Sequence, residues 1–403
     1  PVWGLDRIDQ RSLPLSSSYE SRSAAAVTAY VLDTGVRVGH AEFGGRARNG
    51  WDFIDADAVA NDCHGHGTHV AGTIGGATYG VAKDVEIVGV RVLDCHGSGS
   101  YSQIIAGVDW VTTHAVLPAV ANVSLGGPGD RALDEAVQRS IAAGVTYAVA
   151  AGNDDTQACN DSPGRTPAAI TVGATDSTDR RAWFSNYGRC VDIFAPGVRI
   201  TSARHTSTTA TTVMSGTSMA APHVAGAAAL VLAAAPTSTP AQVRDALVAQ
   251  ATAGTVAARG AGSPNLLLYT GGISSDPAPS PAVTPPPVAP CGPFVVRRDV
   301  VIRDLATVTS ARKVTGCAGA ASATSSVRVV VKHRHRGSLV VTLIAPNGAA
   351  YFLKTATSDP GDDLVATYPV DASGAPRNGT WTLTVRDTLR RDIGYLDAWS
   401  LTL

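Results

Sequence analysis

Short apolar runs alternate with amphipathic stretches between residues 27 and 251. The apolar runs are rich in β-branched residues and predict strands at 27–32, 85–93, 119–125, 145–151, 169–174 and 191–195. Apolar positions spaced three or four residues apart predict helices over 102–116, 133–143, 217–235 and 240–251. Strands that alternate with helices in this way predict βαβ units, and therefore an α/β fold with helices on both faces of a parallel sheet.

The pattern changes near residue 270. Residues 271–290 contain seven prolines among serines and alanines, a composition that predicts an extended linker. Beyond it, runs at 327–331, 339–344 and 380–385 and turn sequences such as Asn378-Gly379 predict an antiparallel β-sandwich. We therefore expect a domain over 1–270, a linker over 271–290 and an all-β domain over 291–403.

Composition and charge exclude several classes of protein. A chain of 403 residues suggests two or three domains. A formal net charge of -1 argues against a general nucleic-acid-binding protein. Since no apolar run approaches the length of a membrane span, we expect none. The chain starts at Pro1, so we expect a mature, monomeric form from which a leader and an N-terminal propeptide have been removed.

The six cysteines are widely spaced and form no C-x-x-C pair, which makes a zinc ribbon an unfavourable interpretation. An even number at such spacing predicts disulfides in an exported protein, with six buried thiols in a cytosolic enzyme as the alternative. Six cysteines allow 15 pairings, and the residues alone do not choose among them.

Polar residues stand where predicted strands end or predicted helices begin. Asp33 follows the first strand, Asn153 follows the strand at 145–151, His66 opens a helix and Ser218 begins a long apolar helix. In α/β proteins, active sites lie at the carboxyl ends of the sheet strands, so these positions suit a catalytic site. Ordinary turn chemistry and helix capping are the alternatives for Asp33, Asn153 and Ser218.

Three histidines at positions 64, 66 and 69 allow two interpretations. Their spacing suits a metal site, but it also suits one catalytic imidazole with structural neighbours. No H-E-x-x-H motif is present.

Three motifs occur in the order Asp, His, Ser. They are Asp33-Thr34-Gly35, His66-Gly67-Thr68-His69-Val70-Ala71-Gly72 and Gly216-Thr217-Ser218-Met219-Ala220-Ala221-Pro222-His223. From about residue 3 to residue 269 the chain resembles the subtilisin-like serine proteases (subtilases), and within them the aqualysin-type enzymes of the proteinase K group. The resemblance implies a Ser-His-Asp acyl-enzyme mechanism in which Ser218 attacks, His66 is the base and Asp33 orients it. Asn153 and the Ser218 N–H would bind the oxyanion.

The resemblance also implies how a substrate peptide binds. Two chain segments would pair with an extended peptide, and a third would form a wall of the first specificity pocket. The segments are Ser98, Gly99, Ser100 and Tyr101; Ser124, Leu125 and Gly126; and Ala150, Ala151 and Gly152. Because these wall residues are small and uncharged, we expect a secreted endopeptidase of broad specificity that prefers apolar or aromatic residues before the cut.

Two other functions stay open. A processing protease of the proprotein-convertase type, which cuts after basic residues, would need acidic residues in the first pocket, and Leu125-Gly126-Gly127 and Ala150-Ala151-Gly152 supply none. A non-catalytic binding protein on a protease scaffold is the other alternative, and the complete set of catalytic residues argues against it.

Structural Ca²⁺ is implied by the resemblance. Asp192, with the carbonyls of Pro167 and Ala169, aligns with a calcium site of the proteinase K group. Two further groups of oxygen ligands look like calcium sites, with solvated surface side chains as the alternative: Asp6, Asp9 and Gln10, and Asp55, Asp57 and Asp62.

We expect disulfides between neighbours in sequence, at Cys63–Cys95, Cys159–Cys190 and Cys291–Cys317. The first two match pairs that the aqualysin-type resemblance implies.

The C-terminal segment has a resemblance of its own. His333-Arg334-His335-Arg336-Gly337-Ser338-Leu339 and Asn378-Gly379-Thr380-Trp381-Thr382-Leu383 are similar to the P domain, a jelly-roll module that accompanies proprotein convertases and many bacterial subtilases. We therefore expect a β jelly roll over 291–403.

Overall fold

The computed structural model describes residues 1–273, 291–317, 321–322, 324–390 and 393–403. Most of the predicted linker, from 274 to 290, lies outside the described residues. The chain divides into two compact units, Pro1–Ser280 and Pro281–Leu403.

The N-terminal unit combines helices and strands. Its helices are α1 (Trp3–Ile8), α2 (His66–Gly75), α3 (Tyr101–His114), α4 (Arg131–Ala142), α5 (Thr217–Ala234) and α6 (Pro240–Gln250). Its strands are β1 (Thr28–Asp33), β2 (Ala47–Asp52), β3 (Glu86–Arg91), β4 (Ala119–Val123), β5 (Gly127–Pro128), β6 (Thr146–Ala150), β7 (Asp161–Ser162), β8 (Ile170–Thr175), β9 (Ile193–Pro196), β10 (Ile200–Ala203), β11 (Thr211–Met214), β12 (Thr252–Ala253) and β13 (Leu266–Leu267).

One sheet of the order β12-β13-β9-β8-β6-β4-β1-β3-β2 forms the centre of this unit. Its neighbouring strands are parallel except for the β12–β13 pair. Successive side chains of a strand point to opposite faces. In β1, Ala29 and Val31 join the core that contains α2 and α5, while Tyr30 and Leu32 join the core that contains α3 and α4. The predicted parallel sheet with helices on both faces is therefore confirmed.

Helix α5 is apolar all round and lies in the core. Among the described residues it is the one helix whose length and composition would suffice to cross a membrane, but 83% of it is buried inside the unit. A helix that is hydrophobic on every side is typical of the core of a large domain. Helices α2 and α5 both begin where β1, β4 and β6 end, so this edge of the sheet gathers the candidate residues.

The C-terminal unit consists of antiparallel strands: β14 (Phe294–Ile302), β15 (Thr307–Val314), β16 (Ser325–Lys332), β17 (Leu339–Ile344), β18 (Ala350–Lys354), β19 (Leu364–Val370), β20 (Gly379–Asp387) and β21 (Gly394–Thr402). They form two sheets, β14-β21-β16-β19 and β15-β20-β17-β18. Alternate residues of these strands form one buried core that includes Trp381 and Trp399. The buried indole N–H of Trp399 donates to the Ser310 hydroxyl at 2.9 Å. The predicted all-β C-terminal domain is confirmed.

Three disulfides join Cys63 to Cys95, Cys159 to Cys190 and Cys291 to Cys317, which are the pairs expected from the sequence. The first two lie in the N-terminal unit and the third lies in the C-terminal unit.

Candidate active site

Asp33 and His66 form a close pair at the carboxyl end of β1. Asp33 is fully buried, and its two carboxylate oxygens lie 2.7 and 2.9 Å from Nδ1 of His66. Burial opposes the charged imidazolium, but the charge of Asp33 and its hydrogen bond raise the pKa of His66 above its ordinary value. This arrangement holds the proton on Nδ1 and leaves Nε2 to accept a proton from a nucleophile.

The start of α2 places His66 against Asp33. Oδ1 of Asp62 accepts hydrogen bonds from the backbone N–H groups of His64 and Gly65, and Oδ2 accepts from that of Thr68. A side chain on Gly67 would begin 2.1 Å from the carbonyl oxygen of Gly35. Only glycine therefore lets the helix approach the strand end this closely.

The hydrogen bonds of Asp62 concern one predicted calcium ligand. Besides the backbone groups of α2, the hydroxyls of Thr34 and Thr68 also donate to its carboxylate. Both oxygens of this buried side chain thus accept hydrogen bonds from the start of α2 and from Thr34. These bonds give Asp62 a structural role, and its predicted role as a calcium ligand stays a prediction.

Ser218 is the second residue of α5 and faces the cleft that contains His66. Its hydroxyl donates to the carbonyl oxygen of Ser124 at 3.1 Å, and the Ser124 hydroxyl donates to the carbonyl oxygen of Ser218 at 2.8 Å. Ser218, His66 and Asn153 line one cleft of about 620 Å³. Among the described residues no hydrogen bond joins this hydroxyl to His66, and catalytic hydrogen bonds are often long in the absence of substrate and shorten when it binds.

Thr217 fixes the orientation of Asn153. Oδ1 of Asn153 accepts hydrogen bonds from the backbone N–H and the hydroxyl of Thr217, at 2.8 and 3.0 Å. The amide nitrogen consequently points away from Thr217. The Asn153 amide nitrogen and the N–H of Ser218, in the first turn of α5, are the two donors that the sequence prediction assigned to an oxyanion.

The two predicted substrate-binding segments border the same cleft, with one exception. Its lining includes Ser98, Gly99, Tyr101, Ser124, Leu125 and Gly126. Ser100 does not line it, because this residue caps α3: its hydroxyl accepts from the N–H of Gln103, whose side chain in turn accepts from the N–H of Ser100.

A second, smaller cavity of about 430 Å³ adjoins the cleft and shares Ser218, Asn153 and residues 125–128 with it. Ala150 and Gly152 line it as predicted, whereas Ala151 is fully buried behind the wall. Asp154 and Asp161 also line it. The sequence did not indicate these two acids, because they come from a segment that looked like an ordinary loop. The preference for apolar or aromatic residues, inferred from the uncharged wall residues alone, stays a prediction.

Two further histidines belong to the cleft; His96 was missed, and His64 was considered only as a metal ligand or a structural neighbour of His66. His64 and His96 line the larger cleft, and each directly follows one cysteine of the Cys63–Cys95 disulfide. That repeated Cys-His sequence was a usable signal, because a disulfide brings the residues after both cysteines to the same place.

The N-terminal group of predicted calcium ligands fits a hard cation. Asp6 accepts hydrogen bonds from the backbone of Ser16 and Ser17, and Gln10 also accepts from Ser16. Asp9 has one buried carboxylate oxygen without a hydrogen-bond partner, and burial raises the pKa of this carboxyl. A buried oxygen with no donor, among other oxygen groups, is what Ca²⁺ requires.

The other two predicted groups fit less well. Oδ2 of Asp192 accepts from the N–H of Thr171 at 2.8 Å, but the carbonyl of Pro167 already accepts from the guanidinium of Arg244 at 3.1 Å. Asp55 pairs with Arg91 at 2.6 Å. Two remaining predicted ligands, the carbonyl of Ala169 and the carboxylate of Asp57, stay predictions. Within the described residues, no group of three or more His, Cys, Asp or Glu side chains is arranged to hold a metal ion.

The fold and this geometry define a serine-protease-like site, and comparisons with known proteins agree. The Subtilase family matches residues 25–267, and the Proprotein convertase P-domain matches residues 322–403. The chain belongs to the subtilase family.

Individual relatives cover the N-terminal unit. An extracellular serine proteinase of Thermus sp. (strain Rt41A) is 62% identical over 270 residues, which are 67% of this chain and 66% of that protein. Alkaline serine exoprotease A of Vibrio alginolyticus is 56% identical over 67% of this chain and 50% of its own length. This chain thus spans between half and two thirds of these relatives. A crystal structure of a cold adapted subtilisin-like serine proteinase, 55% identical, covers 67% of this chain and 98% of its own with a TM-score of 0.66.

Proposed function

We propose that this protein is a secreted serine endopeptidase that hydrolyses peptide bonds through an acyl-enzyme. The observation that carries the proposal is the Asp33–His66 pair, at 2.7 Å, in one cleft with Ser218 and Asn153. A non-catalytic binding protein is a weaker interpretation, because a buried Asp33 that raises the pKa of His66 suits proton transfer and is not needed for binding.

The mechanism follows from what each residue can do. Nε2 of His66 accepts the Ser218 proton as the hydroxyl attacks the scissile carbonyl, and the imidazolium later gives that proton to the leaving amine. Asp33 stabilises the imidazolium without taking its proton. The Ser218 N–H and the Asn153 amide donate to the developing oxyanion. Water then hydrolyses the ester by the same steps in reverse.

An extended peptide would bind between the two edges of the larger cleft. Ser98 and Gly99 border one side, and Leu125 and Gly126 border the other, so backbone hydrogen bonds can hold the substrate as an added strand. The predicted preference for apolar or aromatic residues before the cut depended on an uncharged first pocket. Asp154 and Asp161 also line that pocket, so this preference stays an untested prediction.

Calcium would serve stability in this proposal. Asp6, Asp9 and Gln10 would hold the ion, which would neutralise buried carboxylates and fix the loop that contains Ser16 and Ser17. None of these residues contacts Asp33, His66 or Ser218 in the described hydrogen bonds, so the ion would take no part in the chemical step.

Domain organisation and location complete the proposal. The catalytic domain would span 1–270, the linker 271–290 and the P domain 291–403, with the enzyme acting as a monomer after loss of a propeptide. Three disulfides support secretion, and the Thermus relative is named as extracellular.

A serine-directed reagent tests the proposal. A sulfonyl fluoride should inactivate the protein with one-to-one labelling, and peptide mapping should place the label on Ser218. Labelling should be much slower in a His66→Ala variant, since the general base is lost. Peptide hydrolysis that persists after full labelling of Ser218 would refute the acyl-enzyme mechanism.

A further inference from the structure

The pocket beside Ser218 contains two carboxylates without a cationic partner. Asp154 and Asp161 both line it, and neither forms an ion pair among the described residues. The nearby guanidiniums are used elsewhere: Arg165 pairs with Asp134 at 2.6 Å, and Arg181 pairs with Asp155 at 2.8 Å. The negative charge of the pocket is therefore not neutralised by the protein.

A buried asparagine holds both acids in place. Asn186 is fully buried, and its amide nitrogen donates to Oδ2 of Asp161 at 2.8 Å and to the carbonyl of Ala151 at 3.0 Å. Its amide oxygen accepts from the backbone N–H of Asp154 at 3.0 Å. One side chain thus ties Asp161 and the start of the Asp154 loop to the wall of the pocket.

Gly152 makes room for this arrangement. It has φ +103°, and a Cβ atom there would lie 2.2 Å from the Asn186 amide nitrogen and 3.1 Å from Oδ2 of Asp161. The opposite wall is joined to Asp161 by backbone pairing, with Pro128 of β5 opposite Asp161 of β7. Oδ1 of Asp161 has no hydrogen-bond partner among the described residues and remains available to a ligand.

We propose that Asp161, supported by Asp154, makes this pocket selective for a cationic side chain, so that the enzyme cuts after lysine or arginine. The inference rests on the proposed function. Ser218 and Asn153 border the pocket together with Ala150 and Gly152, the residues expected to form the wall of the first specificity pocket, so it would receive the side chain of the residue whose carbonyl is attacked. Leu125, Pro128 and Ala150 also line it and would pack on the methylene stem of the guest.

The electrostatics of the empty pocket agree with a cationic guest. Burial, and then the charge of Asp154, raise the pKa of Asp161, while the hydrogen bond from Asn186 lowers it. A lysine ammonium or arginine guanidinium would compensate both unfavourable effects and form charge-assisted hydrogen bonds. An apolar guest would leave two carboxylates desolvated and unpaired, which costs binding energy.

Matched peptide substrates test the inference. We would measure kcat/KM for two p-nitroanilide peptides that differ before the cut, one with lysine and one with norleucine, an uncharged residue with a similar stem. The wild-type enzyme should prefer lysine by about ten-fold or more. Asp161→Asn should reduce the lysine-to-norleucine ratio by about ten- to one-hundred-fold, Asp154→Asn should reduce it less, and Asp155→Asn, outside the pocket, should leave it unchanged.

The outcomes separate this inference from the proposed function. If wild-type enzyme cleaves neither peptide nor denatured protein, the proposed function fails. If it cleaves norleucine peptides as fast as lysine peptides, or if Asp161→Asn leaves the ratio unchanged, the cationic pocket is refuted while the protease assignment stands. Retained norleucine cleavage shows that a variant is folded. Competitive inhibition of the wild type by benzamidine, absent with neutral benzyl alcohol, is a second expected result that needs no variant.

Discussion

Thr217 donates two hydrogen bonds to the same oxygen of Asn153, one from its backbone and one from its hydroxyl. The hydroxyl also accepts the N–H of Gly152 at 3.2 Å. The residue before the candidate nucleophile therefore fixes the amide that would bind the oxyanion. An oxyanion donor is effective only if it is already oriented. The orientation of Asn153, in the loop after β6, therefore depends on Thr217 at the start of α5.

Replacement of Asn153 should slow the chemical step. Asn153→Ala should lower kcat about 100- to 1000-fold with little change in KM, since the donor acts on the transition state. Thr217→Val should give a smaller loss, because the backbone donor of residue 217 is retained. Steady-state kinetics with one peptide substrate would give kcat and KM for both variants and the wild type. A similarly large increase in KM with an unchanged kcat would show that Asn153 binds substrate instead.

Replacement of Ser218 should abolish hydrolysis and preserve the fold. We expect Ser218→Ala to lower kcat by roughly 10⁶-fold, as expected for loss of a serine nucleophile. Among the described residues the hydroxyl makes a single hydrogen bond, to Ser124, so the melting temperature should change little. Ser207→Ala, at an exposed serine, serves as the control and should keep full activity. Substantial chelator-sensitive turnover in the Ser218 variant would contradict the assignment.

The decrease in activity on the acid side of the pH–activity profile (the acid limb) should depend on Asp33. Only neutral His66 can accept the Ser218 proton, and Asp33 raises the pKa of His66 above 6.5, so activity should fall as the pH decreases through that raised value. In Asp33→Asn the charge and the ionic hydrogen bond of Asp33 are lost, so burial outweighs the remaining raising contribution of Asp62 to the pKa of His66. The limb should then move to lower pH, with kcat reduced about 10⁴-fold. A limb that stays in place would show that another group titrates.

Removal of calcium should lower stability more than it lowers the chemical rate. A ligand that binds only the folded state stabilises it by about 2.7 kcal/mol when present at 100 times its dissociation constant. We expect a chelator to lower the melting temperature of wild type, and Asp9→Asn to remove most of that effect. Asp62→Asn is the control, because it should lower the melting temperature equally with and without calcium. Immediate loss of turnover at an unchanged melting temperature would indicate a catalytic metal.

The N-terminal unit should be active alone. It has its own core and two of the three disulfides, and loops of about 30 residues closed by such bridges contribute about 3–4 kcal/mol each in the chain-entropy model. Cleavage of the mature enzyme within 274–290 should therefore preserve its melting temperature and its turnover of small peptides. Loss of both would mean that the C-terminal unit is needed to keep the catalytic unit folded.

The sequence predicted the first unit better than the second. Long buried strands and helices appear as plain apolar runs, so the ends of α5, predicted at 217 and 235, differ little from the observed Thr217–Ala234. Strands β14, β15, β18, β19 and β21 were missed. Strand β14, Phe294–Ile302, exposes several of its residues, and its polar side chains hide the period of two.

Candidate residues in motifs could be predicted, whereas pocket residues from loops could not. Asp33, His66 and Ser218 lie in local motifs at the ends of regular elements. Asp161 reaches the pocket only because β7 pairs with β5, 33 residues earlier at Pro128, and Asn186 holds it from a third segment. Such contacts depend on distant parts of the chain, which single-sequence patterns do not encode.

Because Asn186 supports the pocket, cleavage specificity could be altered without disturbing the catalytic residues. Since this one buried amide supports the pocket wall, residue 161 and the loop of Asp154, residue 161 can be exchanged on a scaffold that stays in place. None of these hydrogen bonds involves Asp33, His66 or Ser218. Libraries randomised at position 161 alone should therefore yield proteases with new cleavage preferences that keep the parental turnover on their best substrates.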